Sequence, residues 1–323
     1  MKKMPKISAV MALYNTPYNY LKATVESILS QTFSVFELIV VDDASSIEYE
    51  EFFAEFDDER IKYFKLEKNA GPGNARNVGI KKAAGEYVAI CDSDDIYLPK
   101  RLELQAKFFD ENPDISLTGC SFRFSNRTKL SFVPLEDKEI KTFMLFNSPL
   151  SNPSIMFRKE VFSKNNLFYP EDTNFAEDYE LWINAMFCGV KMANLKDFLM
   201  IYTRRQGQLS KAKEETQIAI LKKLYKKILA QMGIEPTQEE LDLHHNIYAE
   251  NFGQITSEKE ISDWFDKIIE HNKNLFDEKT LLDKKNDMLE KYRKIKNRLF
   301  KIKIGGNNLC LSKNLSLYIE QRD

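Results

Sequence analysis

The chain has 323 residues, of which 43% are hydrophobic, so it is long enough for one large domain and a smaller one. Its 47 basic residues nearly balance its 49 acidic residues, and this balance argues against nucleic acid as a partner. The four cysteines lack C-x-x-C spacing and no apolar run reaches the roughly 18 residues of a membrane-spanning helix, so we expect a cytoplasmic protein with reduced thiols.

The first part of the chain alternates short apolar runs with helical patterns. The apolar runs are residues 7–13, 36–41, 61–66 and 87–90. Their near-continuous apolar character is typical of parallel strands that are buried on both faces. Thr16-Pro17 opens one predicted helix between them, and the glycine-bearing segment 69–77 opens another. Strands that alternate with helices through short connections predict a doubly wound α/β sheet.

Polar side chains follow these strands where each one ends. Tyr14-Asn15 follows the first strand, Asp43 the second and Asp94 the fourth. Ligands of open α/β sheets bind at the carboxyl ends of strands, so we expect these residues to share one crevice with Arg76. There Asp43 would accept a hydrogen bond from a nucleotide base, and Arg76 would meet a phosphate.

The densest charge is Asp92-Ser93-Asp94-Asp95, directly after the fourth strand. Carboxylates are costly to bury unpaired, so this motif must meet water, a cation or both. Asp92 and Asp94 point the same way if the chain stays extended, and together they would hold Mg²⁺ or Mn²⁺. The alternative is a turn that solvates its own acids before a helix that starts near Leu98-Pro99.

No phosphate-binding loop of a familiar kind is present. G-x-G-x-x-G does not follow the first strand, and no Walker lysine motif occurs, so phosphates would be held through a metal. Arg204-Arg205 follows a predicted strand at 198–202, where the pair forms either a solvated turn or a clamp on a diphosphate. Further predicted elements are a helix from Pro99 to about Asn112 and strands within 115–124 and 148–157.

A second acidic motif, Glu177-Asp178, opens a helix whose apolar residues recur at helical spacing. Acids in a first turn interact favourably with the helix dipole, worth about 0.3–1 kcal/mol, and this is a sufficient structural explanation. The functional alternative makes Asp178 a general base, which needs only a carboxylate held near an acceptor hydroxyl.

Taken in order, these motifs resemble the family 2 glycosyltransferases with the GT-A fold. The matching pieces are Ala12-Leu13-Tyr14-Asn15, Ser30-Gln31-Thr32-Phe33, Val40 to Ser45, Gly71 to Gly79, Asp92 to Asp95 and Glu177-Asp178. The resemblance covers roughly residues 4–210 and implies a Rossmann-like, mostly parallel sheet flanked by helices. It also implies inverting transfer of a sugar from a nucleoside-diphosphate sugar, here a UDP-sugar, to a hydroxyl of a glycan or lipid-linked acceptor in surface polysaccharide or glycoconjugate synthesis.

The resemblance assigns roles to matching residues. Donor-binding positions are Ala12, Tyr14, Asn15, Asp43, Arg76, Asp92, Ser93 and Arg205. Asp94, with Asp92, would bind the Mn²⁺ or Mg²⁺ that bridges the diphosphate. Asp178 would deprotonate the acceptor hydroxyl, with Glu177 and Trp182 on the acceptor side. Arg205 stands where many relatives carry a histidine, so it would meet the diphosphate as a fixed cation without ligating the metal.

The composition of the sequence changes from Lys211, where the charged fraction rises and apolar residues recur at helical spacing. We therefore predict a catalytic domain at 1–210 and a helical appendage at 211–323. Segment 281–303 carries nine basic and three acidic residues, interleaved with apolar ones. It is either a solvated helix packed on its neighbours or a basic amphipathic helix on an anionic membrane, at the inner face of the plasma membrane. His244-His245 is expected at the surface or in an interface, and assembly into a homo-oligomer is a further hypothesis.

Two other functions fit parts of this pattern. A sugar nucleotidyltransferase also places a nucleotide over a sheet edge, although it would consume a nucleoside triphosphate. A non-catalytic nucleotide-sugar-binding or scaffold protein would bind without turnover, and Asp178→Asn would then be silent.

Overall fold

The structure is a computed structural model that describes residues 4–171, 176–204 and 214–304. The chain divides into two compact units, Met1–Leu221 and Lys222–Asp323. The predicted boundary after residue 210 lies outside the described residues, and the division between the units falls within a helix, Glu214–Gln231.

An eight-stranded mixed sheet organises the first unit. Its strands are β1 (Ile7–Leu13), β2 (Phe36–Asp42), β3 (Ile61–Lys65), β4 (Tyr87–Asp92), β5 (Ile96–Tyr97), β6 (Leu117–Phe124), β7 (Met156–Arg158) and β8 (Met192–Tyr202). They are arranged in the order β3-β2-β1-β4-β7-β6-β8-β5. The pairs β1–β2, β1–β4, β2–β3 and β6–β8 are parallel, whereas β7 is antiparallel to both of its neighbours.

Helices cover this sheet because its central strands are apolar on both faces. They are α1 (Tyr18–Leu29), α2 (Glu50–Ala54), α3 (Pro72–Lys82), α4 (Arg101–Glu111), α5 (Asp137–Phe143), α6 (Lys159–Lys164) and α7 (Glu177–Phe187). Every residue of β2 is buried, as the continuous apolar run predicts. The helix α3 lies so close to β1 that a side chain at Gly79 would collide with Val10.

Three predicted boundaries differ from the structure. The strand predicted within 148–157 is limited to β7, because residues 152–154 form a 3-10 turn instead. The helix expected to start near Leu98-Pro99 begins at Arg101, after the short strand β5 has paired with β8. The last strand is also longer than predicted and begins at Met192.

The second unit is helical. It contains the end of α8 (Glu214–Gln231), then α9 (Gln238–Tyr248), α10 (Glu258–Glu270) and α11 (Glu278–Ile304). His244 is fully buried, and its Nδ1 accepts a hydrogen bond from Trp264 Nε1 at 3.0 Å, so of the two predicted positions, surface or interface, the surface position is wrong for this residue.

Up to residue 297, where the side chains are described, part of the apolar face of α11 is explained by packing. Leu281, Met288 and Tyr292 are buried, and the helix packs on α10. Its basic residues form ion pairs within the unit, such as Lys285 with Asp266. These three apolar side chains therefore lie in the core of the helical unit, and contact of segment 281–303 with an anionic membrane remains a prediction. None of the helices in the described ranges has both the length and the apolarity needed to span a bilayer.

Candidate functional site

The parallel register brings the ends of three strands to one edge of the sheet. Ala12 of β1 lies opposite Val41 of β2 and Asp92 of β4. The residues that follow these positions therefore emerge side by side. Among them, Tyr14 is 46% exposed, so its ring is accessible at this edge.

The loops after β1 and β2 are joined through Asn15. Its side-chain oxygen accepts hydrogen bonds from the backbone N–H and the hydroxyl of Ser46, at 2.9 and 3.0 Å. Its own N–H donates to Ser45 Oγ at 3.0 Å. Asn15 and Ala44 both have positive φ, a backbone conformation that residues other than glycine rarely adopt. Asn15 thus shapes the loops, and donor contact by its side chain remains a prediction.

Asp43 holds the glycine-bearing loop. Its carboxylate oxygens accept hydrogen bonds from the N–H groups of Ala70 and Gly71, both at 2.8 Å. The residue is buried, and burial raises the pKa of its carboxyl although these two bonds lower it. Contact with a nucleotide base would have to use the remaining acceptor capacity of this carboxylate.

Ser93 faces the interior. It is buried, and its hydroxyl lies 2.6 Å from Thr16 Oγ1, so its side chain joins the acidic motif to the start of α1. The predicted opening of α1 needs a correction: Pro17 is the residue before the helix, and the side chain of Thr16 does not cap it. The hydroxyl of Ser93 keeps further hydrogen-bonding capacity beside this contact, and its contact with the donor remains a prediction.

Arg76 lies at the centre of the site and joins its two acidic motifs. Its Nη2 donates to Asp92 Oδ1 at 2.8 Å, and its Nη1 donates to Glu177 Oε1 at 3.1 Å. The Arg76 side chain is only 8% exposed. Burial, the largest single effect, would lower its pKa, but the charges of Asp92, Tyr169 and Glu177 together outweigh burial and the pKa is raised, so the guanidinium stays charged.

A buried polar layer supports this arginine. The side chain of Asn77 donates to Tyr169 O at 2.8 Å and accepts from Tyr169 N at 2.9 Å. With its amide oriented to donate to Tyr169 Oη, Asn152 accepts from Arg76 Nε and Nη2 at 3.3 and 3.2 Å. A side chain at Gly73 would press on Glu177 and Tyr169, which shows how closely α3 approaches α7.

Asp178 stands in the first turn of α7, beside Glu177. Its Oδ1 accepts a hydrogen bond from the N–H of Tyr179 at 2.7 Å. Desolvation of the carboxyl and the neighbouring charge of Glu177 raise the pKa of Asp178 to about 7. A carboxyl group with such a pKa exchanges protons near neutrality, as a general base must.

Trp182 does not line the acceptor side. It is fully buried, with its ring edge-to-face against Tyr169 at 6.2 Å, so the predicted contact with an acceptor is wrong. The same helical spacing that places Tyr179 in the core also assigns Trp182 to the core, and this was the more informative signal.

Asp95 and Tyr202 belong to the site, although sequence patterns did not assign them to it. Asp95 is 1% exposed, and its Oδ1 accepts from the N–H of Thr203 at 2.7 Å. Burial and the charge of Asp92 raise its pKa well above the ordinary range. The pKa of Tyr202 is raised by burial and then by the charges of Asp92, Asp95, Asp94 and Asp178. Arg205 lies outside the described residues.

We expect Asp95→Ala to lower the free energy of unfolding by about 1–3 kcal/mol, because the buried N–H of Thr203 loses this acceptor. Asp95→Asn retains an acceptor oxygen and cannot ionise beside Asp92 and Asp94, so its stability should equal or exceed that of the wild type. Urea denaturation of both variants measures the difference. Equal losses in both would show that the carboxyl group of Asp95 matters for a reason other than its hydrogen bond to Thr203.

Comparison with known proteins agrees with this architecture. The family described as "Glycosyl transferase family 2" matches residues 8–170. The uncharacterized glycosyltransferase MJ1057 of Methanocaldococcus jannaschii is 36% identical over 221 residues, covering 65% of this chain and 76% of that protein. The amylovoran biosynthesis glycosyltransferase AmsE of Erwinia amylovora is 30% identical, with 69% of this chain and 85% of AmsE covered. The chain therefore belongs to glycosyl transferase family 2 and is a glycosyltransferase.

Solved structures support the fold. TarS 1–349 of S. aureus, in a crystal structure with UDP-GlcNAc, matches with a TM-score of 0.62 at 20% identity and covers 92% of both chains. The predicted GT-A-like sheet followed by C-terminal helices is thus confirmed. Three uncharacterized glycosyltransferases of Rickettsia species, 33–34% identical, are much longer, and the chain spans only 26–30% of their length.

Proposed function

We propose that the protein transfers a sugar, with inversion, from a UDP-sugar to a hydroxyl group of a glycan or lipid-linked acceptor in surface polysaccharide synthesis. The observation that carries this proposal is that Arg76 binds one carboxylate of each acidic motif, Asp92 at the end of β4 and Glu177 at the start of α7. Asp94 and Asp178 are their neighbours in the sequence. The likeness to AmsE supports the process, and the UDP-GlcNAc complex of TarS supports the donor class. We place the enzyme in the cytoplasm, as its cysteine pattern predicts.

In this mechanism Asp178 takes the proton of the acceptor hydroxyl. The hydroxyl oxygen forms a bond to the anomeric carbon while the bond from that carbon to the diphosphate oxygen breaks. One step on the opposite face from the leaving group inverts the anomeric centre. Exposed Tyr14 and the loop held by Asp43 would bind the nucleoside.

The residues at the end of β4 fit a divalent cation. Asp94 is partly exposed there, whereas Asp92 Oδ1 is bound to Arg76, so Asp94 is the protein ligand we assign. No group of three or more potential ligand side chains surrounds a common point within the described ranges, so donor phosphates and water would complete the coordination. Bound there, Mg²⁺ or Mn²⁺ would stabilise the charge that develops on the diphosphate.

Donor hydrolysis and binding across UDP-, GDP-, CMP- and dTDP-sugars, each with Mn²⁺, Mg²⁺ or EDTA, tests this function. We expect slow release of UDP from one UDP-sugar. Binding of no nucleotide sugar would overturn the proposal. Consumption of a nucleoside triphosphate with release of pyrophosphate would instead indicate the nucleotidyltransferase alternative.

The rate of hydrolysis should depend on pH through Asp178. Because only the ionised carboxylate accepts a proton, we expect kcat to rise about tenfold per unit below pH 7 and to level off above it. Glu177 raises this pKa by its charge, while Arg76 lowers it and Asp92 raises it further. Glu177→Gln should therefore move the rise to lower pH. A profile that is flat from pH 5 to 8 would contradict the assignment.

A further inference from the structure

Arg76 uses nearly all of its hydrogen-bonding capacity inside the protein. Three of its nitrogen atoms meet acceptors on three different segments: Asp92 at the end of β4, Glu177 in α7 and Asn152 in the turn before β7. The guanidinium also lies 5.4 Å from the ring centre of Tyr169. With its side chain 8% exposed, it presents little surface to a ligand.

The segments that Arg76 joins belong to opposite halves of the proposed reaction. Asp92 stands beside Asp94, at the end where the donor diphosphate would bind. Glu177 stands beside Asp178, which would activate the acceptor. Charge-assisted hydrogen bonds to a planar guanidinium fix both distance and orientation, so one side chain sets the spacing between the two motifs.

We infer that Arg76 is a positioning residue, which holds the donor-side and acceptor-side carboxylates at a fixed distance and orientation and does not itself bind the nucleotide. This inference rests on the proposed function and replaces the nucleoside contact that the family resemblance implies for Arg76. Reactant misplacement of about 1 Å can cost about 10²-fold in rate, so loss of this spacing should lower kcat.

The test uses the full chain with Arg76→Lys and Arg76→Met, and UDP as the binding probe. We expect Arg76→Met to lower kcat for donor hydrolysis by about 10²-fold, with the Kd of UDP and the donor KM unchanged within error. Arg76→Lys retains one charged contact and should recover part of the rate. Arg60→Met is the control, because it breaks an ion pair with Asp58 before β3 and should leave kcat unchanged.

A double-mutant cycle measures the coupling directly. In the wild-type background, the effects of Asp92→Asn and Glu177→Gln on kcat should be strongly non-additive, because both act through Arg76. In the Arg76→Met background they should multiply to within about twofold. If Arg76→Met does not fold by circular dichroism, the lysine variant serves as that background and should reduce the non-additivity.

Two results would overturn the inference. The first is a UDP Kd weakened about tenfold in Arg76→Lys, which is the loss of about 1.4 kcal/mol that marks a nucleotide ligand. The second is additivity of Asp92→Asn and Glu177→Gln in the wild-type background. Failure of the proposed function looks different, because the wild-type protein would then neither bind UDP nor hydrolyse any donor.

Discussion

Asp178→Asn should lower kcat for sugar transfer and for donor hydrolysis by about 10²- to 10⁴-fold, because an amide cannot accept the proton of the attacking hydroxyl or water. The substitution preserves the shape of the side chain and its acceptor for the N–H of Tyr179, so the start of α7 should stay intact. Donor binding should also persist, because the carboxylates at the end of β4 are untouched. The measurements are kcat for donor hydrolysis and the Kd of UDP in the same variant.

The control for this variant is Glu180→Gln, which removes an acid from the same first turn of α7. If Asp178 served only the helix dipole, the two substitutions would have similar effects, a stability loss of about 0.3–1 kcal/mol and no loss of rate. A kcat of Asp178→Asn within threefold of that of Glu180→Gln would therefore rule out Asp178 as the general base. Absence of turnover in the wild type would instead indicate a scaffold protein.

The parallel half of the sheet was predictable because continuous apolar runs leave few alternatives for a chain segment. The runs at β1, β2 and β4 mark buried strands, and parallel pairing then brings Ala12 and Asp92 to the same edge. Short elements could not be predicted in this way. The helices α2, α5 and α6 have only five to seven residues, and helices of that length are held by tertiary packing and not by a periodic signal.

Within the site, the types of the functional residues were predictable from the sequence, but their hydrogen-bond and ion-pair partners were not. Acids at strand and helix ends identified Asp92, Asp94 and Asp178 as candidates. The ion pair of Arg76 with Glu177 joins residues about a hundred positions apart, and no local pattern specifies such a contact. The bond between Asp95 and Thr203 is equally remote, which is why a carboxylate inside the acidic motif proved to be structural.

Asp94→Ala should lower kcat by about 10²- to 10³-fold, because the leaving diphosphate would lose cation stabilisation worth several kcal/mol. Unlike Asp178→Asn, it should also weaken UDP binding in the presence of Mn²⁺ or Mg²⁺. With EDTA, wild type and Asp94→Ala should bind UDP equally, because the difference between them requires the metal. Calorimetric titration of UDP with and without metal measures both effects.

The matched comparison is Asp95→Asn, which alters the neighbouring carboxylate without removing the ligand we assign. Its metal-dependent gain in UDP affinity should equal that of the wild type, whereas Asp94→Ala should show none. If Asp94→Ala keeps the gain and Asp92→Asn loses it, the ligand is Asp92, and Arg76 must then exchange its ion pair when the donor binds. If metal changes neither rate nor affinity in the wild type, stabilisation of the diphosphate must come from fixed cations of the protein.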